Sequence, residues 1–272
     1  MAFGPARLPF SFESFCKDCA GPAFVSGGPS QVTIDLMSEQ SVVIDALRLS
    51  GRPIAVGFLD SPPPGVERWS GGAVPAGCAF WRLAMDGKTF YTEPSDHWNC
   101  AVGSYTHGIS LPAEQGAALQ DTVGFMVGSG YIEMSEVAGI PVLPRAPRFI
   151  AYGPVDEAPF AADLVLMAAV PAAAMLMYEA AIRSGATSAL TPAMGRPACA
   201  VLPMAKSQDS SALSLGCKGN RTFTGLPDSE LYFCVPGGKW AGFLKELGTL
   251  QEANQKIGEY SAGRKSQFPV MT

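Results

Sequence analysis

The chain is poor in charge and poorer in histidine. Asp, Glu, Lys and Arg make up 16% of its 272 residues, and there are two histidines. With 47% hydrophobic residues against so little charge, it can bury a sizeable core, which excludes intrinsic disorder. Basic runs are missing, and 19 Lys and Arg against 24 Asp and Glu leave a net charge of -5. The electrostatic footprint of a nucleic-acid binder is therefore absent. No stretch offers the roughly 20 consecutive apolar residues of a membrane helix, because the most apolar segment, 161–183, is interrupted by Asp163, Pro171, Glu179 and Arg183. No basic stretch leads into a continuous apolar one at the N-terminus, so the chain reads as soluble and cytoplasmic, without a secretory signal. Phosphate-loop, dinucleotide-fingerprint, His-Glu-x-x-His, nucleophile-elbow and Cys-x-x-Cys-His motifs are also lacking.

Glycine and proline are plentiful, at 30 and 23 residues, and this punctuation excludes a helical bundle or coiled coil. Residues 1–30 read as an extended arm bearing Cys16 and Cys19, followed by one compact domain over 31–272. Helical spacing of Ile34, Met37, Ile44 and Leu47 predicts a helix within 31–50, and further helices are expected at 112–127, 171–184 and 239–259. In the last, Trp240, Phe243, Leu244, Leu247, Leu250 and Ile257 form one apolar stripe. Short apolar runs at Ile54, Phe149 and Asp163 read as strands, giving a mixed α/β (α+β) fold.

An internal repeat organises the chain. Ile54-Ala-Val-Gly-Phe-Leu-Asp60 matches Ile150-Ala-Tyr-Gly-Pro-Val-Asp156 at four of seven positions. Cys78-Ala-Phe-Trp-Arg-Leu-Ala84 matches Cys199-Ala-Val-Leu-Pro-Met-Ala205, and Cys100 and Cys217 each stand eight residues before a glycine, Gly108 and Gly225. Three blocks in the same order predict a duplicated unit, with halves at about 50–145 and 146–260 related by a pseudo-twofold.

The repeat sorts the seven cysteines. Cys78, Cys100, Cys199 and Cys217 form a matched quartet, and in a reducing cytoplasm thiols point to metal binding or reactivity rather than disulfides. Four thiolates suit a [4Fe-4S] cluster or zinc; the quartet's wide spacings indicate a site assembled by tertiary structure. Taken singly, each cysteine also fits a small buried hydrophobe. Gly216-Cys-Lys-Gly-Asn-Arg221 adds candidate cofactor-binding residues, Gly216, Lys218, Gly219 and Arg221, which bring positive charge and close backbone approach to the sulfur. His97, three residues before Cys100, is a candidate catalytic proton carrier.

Gly77-Cys-Ala-Phe-Trp-Arg-Leu-Ala84, His97-x-x-Cys100-x-x-Gly103, Met194-Gly-Arg-Pro-x-Cys199 and Gly216-Cys-x-Gly-Asn-Arg-x-x-Thr-Gly-Leu-Pro-Asp228 resemble the prokaryotic family called domain of unknown function 169, over about 40–260. That resemblance implies no settled activity, and its motifs centre on the same four cysteines. Two expectations follow. One is an iron-sulfur protein, either a carrier with a redox partner or a cluster-dependent oxidoreductase or lyase with a small-molecule substrate. The other is a metal-free binding module or Cys-nucleophile enzyme with an anionic ligand between the halves; a haem protein is a further alternative.

Overall fold

The computed structural model describes residues 43–188 and 192–267. Cys16, Cys19 and the first part of the helix expected within 31–50 lie outside them. Seven strands form one sheet: β1 (Ile54–Leu59), β2 (Phe90–Thr92), β3 (Phe149–Pro154), β4 (Leu164–Ala169), β5 (Ala193–Met194), β6 (Ala212–Ser214) and β7 (Leu231–Pro236). Their order is β2-β3-β1-β4-β7-β6-β5. Every neighbouring pair is antiparallel except β5 with β6.

Eight α-helices lie wholly within the described residues: α1 (Ala79–Met85), α2 (Ala101–Thr106), α3 (Ala113–Gly128), α4 (Met134–Val137), α5 (Pro171–Arg183), α6 (Val201–Gln208), α7 (Lys218–Thr224) and α8 (Trp240–Lys265). None is long and apolar enough to cross a membrane.

Why β4 reads as an unbroken apolar run is answered by its two faces. Leu164, Leu166 and Ala168 join a core with Phe80, Trp81, Val201 and Leu202 of α1 and α6. Met167 and Ala169 point the other way, into a core with Met177, Phe243, Leu244 and Leu247 of α5 and α8. A strand covered on both sides has no solvent face to mark with polar residues. Within the Ala-rich and Met-rich segment at 161–184, Met167 of β4 and Met177 of α5 are therefore core, while Met175 of α5 is 51% exposed.

Two expectations need correction. The runs starting at Ile54 and Ile150 do not occupy equivalent places: β3 lies beside β1 as its antiparallel partner, with Ile54 opposite Pro154 and Leu59 opposite Phe149. The other neighbour of β1 is β4. The likeness of the two runs has a local cause, since both are largely buried strands flanked on both sides, a setting that selects the same small and branched residues. The stripe expected over 239–259 is buried only as far as Leu250, and Ile257 is 62% exposed. Beyond Leu250 the helix outruns the core it shares with α5.

Candidate functional site

Short helices carry the cysteines. Cys78, Cys100 and Cys217 are the residues immediately before α1, α2 and α7, and Cys199 lies in a 3-10 turn (Ala198–Ala200) that runs into α6. The first N–H groups of a helix lack partners within it. Two thiols serve as those partners: Cys100 Sγ accepts from the Gly103 N–H at 3.3 Å, and Cys217 Sγ accepts from the Asn220 N–H at 3.4 Å. Close approach explains Gly103, where a Cβ atom would stand 2.7 Å from Cys100 Sγ.

All four cysteines line one cavity of about 870 Å³. Among the described residues, no group of three or more His, Cys, Asp or Glu side chains is placed to hold a single metal ion. The four thiols share the wall of this cavity. A cubane cluster would attach each thiolate to a different iron, whereas a zinc site would draw them onto one ion.

Burial sets the protonation of Cys78, Cys100 and Cys199. It pushes Cys78 up to about 12, which the Asn220 side chain opposes and the neighbouring Cys100 and Cys217 reinforce. Burial likewise raises Cys100, against the N–H groups of Gly77 and Gly103. Cys199 is driven well above its ordinary value by burial and then by Cys100, with Thr106 opposing. Without a cation in the cavity these three groups stay neutral, which is unfavourable for a thiolate nucleophile and compatible with thiols that ionise on meeting a metal.

The remaining sequence-predicted residues separate. Gly219 lines the cavity, whereas Lys218, Arg221, Gly216 and His97 do not. The Lys218 N–H donates to the Tyr131 hydroxyl at 3.1 Å. Arg221 is turned into the chain's own turns, donating to the carbonyls of Leu215 at 2.6 Å, Glu230 at 2.9 Å, Leu226 at 3.5 Å and Pro227. Gly216, at φ +76°, leaves room for that guanidinium, since a Cβ there would lie 3.3 Å from Arg221 Nε. Both residues hold a loop together; neither is placed to touch a cofactor in the cavity.

His97 is 2% exposed. Its Nε2 is 2.9 Å from Thr92 Oγ1, and its ring packs 5.1 Å from Phe80 and 6.1 Å from His107. Burial, with a smaller contribution from His107, lowers its pKa to about 3. It stands behind the lining residues as a buried, uncharged ring, with Gly77, the neighbour of Cys78, so close that a Cβ there would lie 3.3 Å from its Nδ1. His107 is buried likewise, its Nδ1 2.8 Å from the Gly103 carbonyl and its Nε2 unpartnered. Cys234 is in β7, buried in the sheet core and away from the cavity.

Sequence reasoning missed the far wall. Arg196, inside a quoted motif but given no role, lies 4.8 Å over the Tyr131 ring and 3.6 Å from Glu136. Tyr131 and Glu136 belong to a long connection whose purpose nothing in its spacing announced. Asn220 was also overlooked: it is 2% exposed, its Nδ2 reaches Tyr232 at 3.4 Å, and its Oδ1 has no partner.

A family model described as DUF169, Uncharacterised ArCR, matches residues 42–245. The chain belongs to the DUF169 family. The match takes in all four cavity cysteines of this DUF169 protein, together with α3 and Arg196. No curated protein and no solved structure matches it.

Proposed function

We propose that Cys78, Cys100, Cys199 and Cys217 hold a [4Fe-4S] cluster in a cytoplasmic redox carrier or cluster-dependent enzyme. The observation that carries this reading is the presence of four thiols, distant in sequence, around one cavity. Their chemistry fits. Thiolates are the common ligands of iron-sulfur clusters, and N–H groups aimed at sulfur, as those of Gly103 and Asn220 are, tune such clusters. When bound, the cluster supplies one-electron transfer or a Lewis-acidic iron. The chain's own part is to surrender the thiol protons, fix the sulfurs at helix starts, and keep water away with apolar walls. A haem reading is weaker, because both histidines are buried away from the cavity.

The same reading includes an internal duplication in a revised register. Exchanging β1 with β4, β3 with β7 and β2 with β6 maps the sheet order onto itself over those six strands. The exchange carries α1 onto α6 and α2 onto α7, so that Cys78 corresponds to Cys199 and Cys100 to Cys217. Supporting it is the repeated cap, a cysteine Sγ accepting the N–H three residues on, in α2 and α7 alone of the described helices. The halves become 54–154 and 164–236, and each contributes two ligands.

Iron and acid-labile sulfide, measured on anaerobically prepared protein, test the reading. The expected result is about four of each per chain, with both lost when Cys199 and Cys217 are replaced together by Ser and both retained in Cys234→Ser. Full iron content after the double substitution, or no iron in the wild type, overturns the assignment.

A further inference from the structure

We infer that the cavity beyond the cysteines is a subsite for a small, uncharged, mainly apolar organic molecule, held under α3; the inference rests on the proposed function in taking the cysteine end as the reactive one. The cavity volume of about 870 Å³ lies within the roughly 300–1,000 Å³ of small-molecule sites, and a cubane core fills a minor part of it. The remaining space is walled largely by residues 107–148, which connect α2 to β3. The corresponding connection from α7 to β7 is residues 225–230 alone. The long connection contributes nothing fully buried from α3. It places instead a stripe of half-buried residues against the cavity: Gln115, Leu119, Thr122, Val123 and Met126. Among the described residues, neither core cluster includes that stripe. At the rim, Tyr105, Met134 and Phe223 are 38%, 61% and 47% exposed, an apolar mouth that water leaves poorly satisfied.

Charge selects the ligand class. Among the described lining residues, Arg196 and Glu136 are the charged ones, and they face each other at 3.6 Å. The pair cancels, leaving no surplus cation for an anionic ligand and no surplus carboxylate for a cationic one. Asn220 adds a second, independent pointer, a buried lining residue whose Oδ1 lacks a partner. A ligand bearing one N–H or O–H on an apolar body matches both features.

Equilibrium dialysis of the full chain against N-phenyl-1-naphthylamine, an uncharged aromatic amine, tests this without interference from cluster absorbance. One saturable site per chain is expected. Val123→Glu, which sets a charge against the ligand, should weaken it by about tenfold or more. Phe125→Glu, on the exposed face of the same helix, should leave it unchanged. The anionic probe 8-anilinonaphthalene-1-sulfonate, sharing the ring system, should bind more weakly. Iron measured on the same samples separates the two readings. Iron without dye binding overturns the subsite and leaves the cluster standing; dye binding without iron supports the subsite and removes the cluster. Absence of saturable binding, as when another segment of the chain or a second copy fills the space, overturns the inference. So does tighter binding of the sulfonate, and so does indifference to Val123→Glu.

Discussion

Histidine in this protein is held uncharged at a cost that depends on pH. His97 is lowered from 6.5 to about 3, and His107 is lowered too, both by burial. Between those values the unfolded chain binds a proton that the native ring refuses. The stability that depends on His97 is therefore full above about pH 6.5 and falls as the pH drops from there toward 3, by about 1.4 kcal/mol per pH unit, and His107 acts in the same direction. Urea midpoints measured between pH 7 and 5 should decline accordingly, and His97→Gln should have the shallower slope. A second residue-scale outcome concerns Arg221. Truncating it to Ala strands four carbonyls, so a loss of about 2–3 kcal/mol is expected in thermal unfolding. Iron content should be unaffected, because the guanidinium holds a turn and does not line the cavity. Gly103 is the opposite case. A methyl group 2.7 Å from Cys100 Sγ must displace that sulfur, so Gly103→Ala should lower iron content more than it lowers stability, which metal analysis beside a melting curve will show.

At the scale of the element, periodicity alone was a good guide to α3, α5 and the start of α8, and to β1, β3 and β4. It failed at α8 beyond Leu250 because an apolar residue at helical spacing is buried only where something lies opposite it. Leu247 is fully buried in the core, whereas Ile257 faces solvent. Leu247→Ala should therefore cost about 2–5 kcal/mol through the cavity it leaves, and Ile257→Ala should change stability by no more than about 0.5 kcal/mol. Chemical denaturation of the two variants decides between a continuous stripe and the truncated one. The short helices α1, α2, α6 and α7 went unpredicted for a related reason. Each has no more than eight residues, too few for a helical period to show, and α2 and α7 carry a thiol cap in place of the usual Ser, Asp or Asn signal.

For the whole molecule, the sheet is the frame that turns scattered cysteines into a site. β1 and β4 pair at its centre, with Ile54 opposite Leu166 and Val56 opposite Leu164, and helices cover β4 and β7 on both sides. Native-state hydrogen exchange should find its slowest amides in β1, β4 and β7, and markedly faster exchange in α3 and in α8 beyond Leu250, where few buried contacts hold the backbone. Comparable protection of α3 and β4 in the ligand-free protein would contradict this ranking.

Composition and burial period, properties of the chain taken in order, carried the mixed α/β class, and the likeness of the runs at Cys78 and Cys199 pointed to four cysteines that line one cavity. The sequence also set the alternatives for their chemistry, which depend only on residue type. Which strands lie side by side, that Arg221 and His97 do not line the cavity, and that residues 107–148 supply much of its wall are matters of tertiary structure alone. Strand neighbours and the direction of a side chain depend on contacts between residues far apart in the chain. A local run such as the one at Ile54 or Ile150 carries its own burial, but not the identity of whatever buries it.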